Sequence, residues 1–403
     1  MQNIKIGILK ERKTPADRRV PLSPDQCLTL SQTYPFVELQ IEKSPIRCFS
    51  DKEYSDLGLN LVDSVSDCDI LLGVKEVPKE YLISNKTYLY FSHTIKKQSY
   101  NRELLAKMIN QNITMIDYET LCDKNNNRII GFGFYAGLVG CYNGFLAYGL
   151  RTNSFHLKPA IDCFNKNELF EELKKVSIPN LKIILTGNGR VASGALEILK
   201  FLKIKQIGKD DFLNNHFDFP VFVQLSSLDF NIRLDGKPSS KSDFYSNPEN
   251  YKSIFPDFAQ KSEFFIAGHF YANNAPFLFT RNDAKSSDFK IRTIADISCD
   301  INGPVASTIR SSSIENPIYG YNVLSEKEDD FNKENVITVM AVDNLPCELP
   351  KDASIHFGNK LIENVFPALL LEDNDGIIER STICKNGSLT PKFRYLKSFV
   401  EGS

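Results

Sequence analysis

Lys75 and His93 are the side chains whose types and placement could move protons near neutral pH. Each ends a short apolar run, Lys75 in CDILLGVKEVP and His93 in KTYLYFSHT, and runs of that length and composition read as strands. Histidine titrates near neutrality, and a desolvated lysine can be brought there. Open α/β sheets bind ligands outside the carboxyl ends of their strands, so both groups are expected to face one crevice. A second stretch with chemical content is LKIILTGNGRVASGALEILKFLKIKQI, residues 181–207. Ile183, Ile184 and Leu185 lead into Gly187, Asn188 and Gly189, and Val191, Ala195, Leu196, Ile198 and Leu199 follow at helical spacing. Strand, tight turn and helix in that order make an anion site, because the unpaired N–H groups and dipole of the helix start face the ligand. Ile204 to Ile207 reads as the next parallel strand of one βαβ unit. The expected ligand is a dinucleotide, held at Gly187, Asn188, Gly189, Arg190 and Val191. An ordinary βαβ turn is the alternative, since Ala192 stands at the third glycine position of the fingerprint.

The elements that position these residues follow from length and pattern. A chain of 403 residues exceeds what one core usually organises, so two domains are expected. With 42% hydrophobic and 24% charged residues it reads as globular, and a net charge of −2 gives no broad basic field for nucleic acid or an anionic membrane. A small-molecule partner fits better. Nine cysteines without a C-x-x-C pair or metal-like spacing read as reduced thiols, and no metal site is expected. The start MQNIKIGILKERK lacks the pattern of a signal peptide, and no stretch reaches membrane-spanning length, so a cytoplasmic enzyme is expected.

Along the chain, IKIGILKE is expected as the first strand and Ser23-Pro24-Asp25 as a capped helix start. VELQIEK, CDILLGVKEVP, KTYLYFSHT and NITMIDYE continue the strands. GFGFYAGLVGCYNGFLAYGLRT, residues 131–152, is an apolar helix whose Gly137, Gly140, Gly144 and Gly149 would allow close packing; it is read as an inter-domain helix. After Ile207, a polar excursion, RLDGKPSSKSDFYSNPENYKSIFPDF, is expected to pack on the nucleotide domain. SEFFIAG, FKIRTIADIS and ENVITVMAVDN restore the strand rhythm, the last being the final strand expected. DASIHFGNKLIENVFPALLLE reads as one long helix.

Several of these runs together are specific enough to resemble a known family. NKTYLYFSHTIKKQ, ITMIDYETL, FGFYAGLVG, IADISCD, AVDNLPCELPKDAS and NGSLTPKFRYL resemble the lysine-forming saccharopine dehydrogenases, in particular the lysine-ketoglutarate reductase half of bifunctional aminoadipic semialdehyde synthases. The likeness extends more distantly to alanine dehydrogenases and transhydrogenases. It implies an α/β protein of two Rossmann-like domains. A central NAD(P)-binding domain, residues 141–344, would be inserted in a discontinuous catalytic domain, residues 1–140 plus 345–403, with the active site in the cleft between them. The glutamate-forming half of the bifunctional proteins is expected to be absent beyond Ser403.

The resemblance also implies roles. Lys75 and His93 match the family's acid–base pair for condensing the lysine ε-amine with 2-oxoglutarate and reducing the imine to saccharopine. Glu76 and Glu119 match acids beside that pair, where negative charge favours the cationic forms. Arg19, and less closely Arg128, would bind substrate carboxylates. Asp300 matches an aspartate near the nicotinamide, Asp296 would brace its loop, and His269 departs from the family as a backbone contact. The cofactor is NAD or NADP, because Gly208 stands at the expected tip of the second strand, followed by Lys209, Asp210 and Asp211. Alanine dehydrogenase, or another imine-reducing amino-acid or opine dehydrogenase, uses a similar catalytic set and stays open. A catalytically silent dinucleotide-binding protein is the alternative of another class. An oligomer is compatible with either.

Overall fold

The fold comes from a computed structural model that describes residues 3–271 and 274–402. The chain forms two compact units. Met1–Phe132 with Pro350–Ser403 make the first, and Gly133–Leu349, which interrupts it in sequence, makes the second.

The first unit is built on β1 (Ile4–Ile8), β2 (Val37–Glu42), β3 (Asn60–Val62), β4 (Ile70–Lys75), β5 (Thr87–Phe91) and β6 (Thr114–Asp117). They pair in parallel in the order β6-β5-β4-β1-β2-β3. Parallel strands covered on both faces read as continuous apolar runs, and β4 is buried from Ile70 to Val74. Helix Pro24–Thr33 begins as expected. Gln26 N–H donates to Ser23 Oγ and Ser23 N–H to Gln26 Oε1, with Pro24 in the first turn.

Two elements here differ from expectation. Beyond ENVITVMAVDN lie two further strands, Thr382–Lys385 and Ser388–Leu389, which pair antiparallel and cover the free edge of β6. Asn386 and Gly387 join them with φ of 54° and 70°, the left-handed pair that a two-residue hairpin turn requires. The long C-terminal helix is broken into Pro350–Asn364 and Phe366–Leu370, because Pro367 has no N–H to continue the ladder.

The second unit holds β7 (Lys182–Thr186), β8 (Lys205–Ile207) and β9 (Val221–Leu225) beside strands Phe264–Ala267, Thr293–Asp296 and Val336–Met340. The parallel order is β8, β9, β7, Phe264–Ala267, Thr293–Asp296, Val336–Met340, with an antiparallel hairpin, Ile318–Asn322 and Lys327–Asp329, at the far edge. β8 is therefore parallel, but it is not the neighbour of β7. β9 lies between them, and β8 is an edge strand of three mostly exposed residues. Its exposed Lys205 and Gln206 suit an edge and would be costly in the sheet centre.

Helix Gly133–Thr152 lies wholly in this unit, although the expected boundary at residue 140 would have divided it. Its small residues explain why. A Cβ on Gly137 would collide with the carbonyl of Val191, and one on Gly194 with that of Phe134, so the helix and Arg190–Phe201 approach backbone to backbone. The other end of the unit is tied to the same helix, where Glu348 accepts a hydrogen bond from Asn143 Nδ2 at 2.8 Å. The polar excursion forms a short hairpin, Asn231–Arg233 with Tyr251–Ser253. Its Phe255 and Phe258, with Phe230 just before it, pack into the core of β7 and β9, as expected. No helix of the described residues is long and apolar enough to cross a membrane.

Candidate active site and nucleotide-binding turn

In the first unit, β4, β5 and β6 are neighbours running the same way, with Lys75 opposite Phe91 and Tyr90 opposite Asp117. Lys75 and Glu76, His93, and Glu119 accordingly leave the carboxyl ends of three adjacent strands. His93 Nδ1 lies 3.3 Å from Glu119 Oε2, and His93 Nε2 lies 4.0 Å from Glu76 Oε2. Lys96 Nζ is 3.4 Å from Glu119 Oε1, and Lys13 pairs with Glu76 Oε1. Glu76 is buried, and its Oε2 has no hydrogen-bond partner among the described residues, leaving the imidazole as its facing group. Burial alone would raise the Glu119 carboxyl. The hydrogen bond from His93 and the charges of Lys96, His93 and Arg128 outweigh it and hold the carboxyl at about 2. Glu119 is thus ionised at neutral pH and holds one edge of the imidazole.

Two buried acids that sequence reasoning did not select hold these strand ends. Glu11, just past β1, accepts from the backbone N–H of Val74 at 2.7 Å and of Lys75 at 3.0 Å. It takes the place of a strand partner where the β4–β5 register shifts between Leu72 and Lys75. Burial, then the charge of Asp17, pushes the Glu11 carboxyl up to about 8. Asp117, fully buried at the end of β6, accepts from Glu119 N–H at 2.7 Å, from Ser92 N–H at 3.3 Å and from the Ser92 hydroxyl. One carboxylate thereby fixes both the His93 and the Glu119 loops. Burial lifts it to about 6 against these bonds. His93 itself has φ 55°, a left-handed conformation uncommon outside glycine. The loop is also gripped by Asn101 Nδ2, which donates to the His93 carbonyl at 3.3 Å. A strand-end carboxylate two residues before a candidate acid was the available signal for Asp117.

Arg19 is 4% exposed, and Nε and Nη2 donate to Asp17 at 3.0 and 2.6 Å, with the guanidinium 4.2 Å above the Phe132 ring. Much of the fork expected to receive a substrate carboxylate is therefore engaged by Asp17. The charge of Lys75 also acts on Asp17, so Arg19, Asp17, Lys75 and Glu11 form one cluster. Arg128 is exposed and sits 5.5 Å over Phe91, whose ring stacks towards His93 with centroids 6.3 Å apart.

In the second unit, β7 runs into Gly187 with φ 98°, where a Cβ would strike the Gly268 carbonyl. Only glycine serves there. At Gly189 a Cβ would meet nothing within 4 Å, and no side chain caps the helix Arg190–Phe201 that begins beside it. Asn188, Gly189 and Arg190 are exposed, and the Val191 backbone packs on helix Gly133–Thr152. An exposed glycine turn with open space and an uncapped helix start fits a pyrophosphate.

The neighbouring strand ends are level with this turn, Thr186 pairing with Ala267 and Ala267 with Asp296. His269 Nδ1 lies 2.7 Å from Thr186 Oγ1, and burial depresses the imidazole to about 4, so it is neutral and ties two strand ends together. That is a side-chain role where only a backbone contact was expected. Asp296 braces its loop as anticipated, accepting from Ser298 Oγ and Thr308 Oγ1 at 2.6 Å each. Asp300 lies in that loop, its carboxyl pushed up by burial and by Asp296. The tip adjoining the glycine turn belongs to β9 and reads Ser226 to Asp229. Gly208 instead precedes the short helix Lys209–Asn214 at the sheet edge. Among the described residues no cluster of His, Cys, Asp and Glu could hold a metal ion.

Comparison with known proteins adds four likenesses. Residues 7–139 match the family "Alanine dehydrogenase/PNT, N-terminal domain". The mitochondrial alpha-aminoadipic semialdehyde synthase of Rattus norvegicus is 29% identical over 96% of this chain, and the chain spans only 46% of that protein's length. Saccharopine dehydrogenase [NAD(+), L-lysine-forming] of Yarrowia lipolytica is 23% identical over 90% of this chain and 91% of its own. Among solved structures, an L-alanine dehydrogenase matches with TM-score 0.66 at 17% identity, covering 98% of this chain and 100% of that one, and so shares the fold.

Proposed function

We propose a lysine-forming saccharopine dehydrogenase activity for this chain, on the strength of the family match at residues 7–139, of saccharopine dehydrogenases among its similar proteins and of the alanine dehydrogenase fold. It joins lysine and 2-oxoglutarate reversibly with a reduced nicotinamide dinucleotide. The observation that carries this reading is the convergence of Lys75, Glu76, His93 and Glu119 at three adjacent strand ends. Five ionisable groups gather at these strand ends, counting Lys96, and such clusters of charged groups are candidates for functional sites. The relatives matched over nearly the whole chain support this substrate class.

In the forward direction the lysine ε-ammonium loses a proton, and the free amine attacks the ketone carbon of 2-oxoglutarate. The resulting carbinolamine oxygen takes a proton and leaves as water, giving an imine. His93 and Lys75 are the groups proposed to carry these proton transfers. Glu119 fixes the His93 ring through Nδ1, leaving Nε2 for exchange on the side of Glu76. Glu76 and Glu119 stabilise whichever of the pair carries positive charge. Arg128, exposed beside Phe91, suits a substrate carboxylate, and Arg19 acts through its paired cluster. Gly187, Asn188, Gly189, Arg190 and Val191, with Asp300 as a further contact, would hold a nicotinamide dinucleotide, which when bound would supply the hydride that converts the imine to the secondary amine.

An alanine dehydrogenase reading is supported by the family match at residues 7–139 and by the shared fold. The two separate on product. Purified protein incubated with lysine, 2-oxoglutarate and NADH or NADPH should yield saccharopine by mass spectrometry. Alanine from pyruvate and ammonia, with no saccharopine, would replace this reading with the other.

A further inference from the structure

Resting on the reading of the glycine turn as a dinucleotide site, we propose that Asp229 selects NAD over NADP by receiving the ribose 2′-hydroxyl of the adenosine half. In dinucleotide folds the acid with that role sits at the tip of the strand beside the one bearing the glycine turn. Sequence spacing points to Gly208, at the end of β8, where no acid stands. Sheet order points elsewhere. β9 is the strand hydrogen-bonded to β7, with Thr186 opposite Leu225. The tip of β9 is also tied directly to the turn: Gly187 N–H donates to the Leu225 carbonyl at 2.8 Å, and Gln224 Nε2 donates to the Gly187 carbonyl at 2.9 Å.

The segment after Leu225 is Ser226-Ser227-Leu228-Asp229, and its acid is fixed in place. Asp229 Oδ2 accepts from Ser226 N–H at 2.8 Å and from Ser226 Oγ at 2.6 Å. Lys209 Nζ lies 3.2 Å from Oδ1. Burial would raise this carboxyl, but the Ser226 bonds and the Lys209 charge keep it below the usual carboxylate range, so it is ionised at neutral pH. An ionised carboxylate accepts a hydrogen bond from a ribose hydroxyl and repels a 2′-phosphate, whose own negative charge would lie beside it. Lys209, the cation that could welcome that phosphate, is already engaged by Asp229. Asp210 and Asp211 lie in the edge helix after β8, and Asp211 Oδ1 accepts from Asn215 Nδ2 at 2.7 Å, directing that carboxylate along its own helix.

Fluorescence titration of the full chain with NADH and with NADPH reads this without turnover. The wild-type protein should bind NADH at least about tenfold more tightly than NADPH, the size of a lost charge-assisted bond. Asp229→Asn keeps an acceptor for Ser226 and drops the charge, and should narrow that ratio about fivefold or more while the thermal midpoint holds. Asp210→Asn with Asp211→Asn should leave the ratio alone. A wild-type preference for NADPH overturns the proposal. So does a fall in both affinities together in Asp229→Asn, which would make Asp229 only a turn brace, or a ratio that follows the Asp210/Asp211 pair. If neither nucleotide binds, the dinucleotide reading of the turn fails and Asp229 falls with it. If both bind without discrimination, that reading stands and the selectivity is refuted.

Discussion

The two units build their sites in opposite ways. In the first, the proposed chemistry rests on charged side chains at the ends of β4, β5 and β6, and two buried acids, Glu11 and Asp117, hold the backbone that presents them. In the second, the turn at Gly187 and Gly189 offers backbone and empty space, and side chains matter mainly by staying out. A site made of side chains should fail in chemistry when one is removed. A site made of backbone should fail in binding when a side chain is added.

The largest effects should come from the acid–base pair. Lys75→Met or His93→Gln should lower turnover by about 10²-fold or more, with dinucleotide affinity unchanged within about twofold. Near-normal rates in both variants would remove the pair from the chemistry. In the second unit, Gly189→Ala puts a methyl into open space, so the thermal midpoint should hold while dinucleotide affinity falls about tenfold. Gly187→Ala, at φ 98° and against the Gly268 carbonyl, should instead lose stability and binding together. Equal behaviour of the two variants would break the distinction between space kept for a ligand and space kept for the fold.

Asp117→Asn tests whether a brace matters to the chemistry it holds. With the charge gone and one of its three donors facing an amide, kcat should fall about tenfold, and the cost to stability should be about 1–3 kcal/mol. An unchanged kcat in a folded variant would reduce Asp117 to a core residue. The smallest effect concerns Glu348, whose carboxyl burial, foremost, pushes up to about 8. The fold holds that proton while the unfolded chain releases it at an ordinary carboxylate value. Stability therefore drains away as pH rises from about 4.5 to about 8 and levels off above. Glu348→Gln keeps the acceptor for Asn143 and cannot ionise. It should match the wild-type melting temperature near pH 5 and exceed it by about 2 °C or more near pH 8. Parallel melting curves across that range would contradict the buried-proton account.

What was legible in the sequence follows the same contrast. Lys75 and His93 could be placed because each ends an apolar run, and strand ends collect ligands. The glycine turn was legible because its spacing is local. Glu11 and Asp117 were not singled out: a strand-end carboxylate looks the same whether it meets water or two backbone amides, and only tertiary pairing tells them apart. Arg19 was legible, through the resemblance, as a carboxylate-binding arginine but not as one already clasped by Asp17. Sheet order was the larger loss. Local periodicity finds β8 but says nothing about which strand lies beside β7, and sheet order moves the proposed specificity position from Gly208 to Asp229. The hairpin at Asn386-Gly387 was, by contrast, written plainly in a dipeptide and passed over.

The most direct test of the proposed chemistry is the absorbance of NADH, followed at the nicotinamide wavelength, with the wild-type protein, 2-oxoglutarate and lysine. The geometry of Lys75, His93, Glu76 and Glu119, together with the relatives matched along the chain, predicts a decrease that requires both lysine and 2-oxoglutarate. A decrease seen only with pyruvate and ammonia, or tight NADH binding with no turnover on either pair, would contradict it.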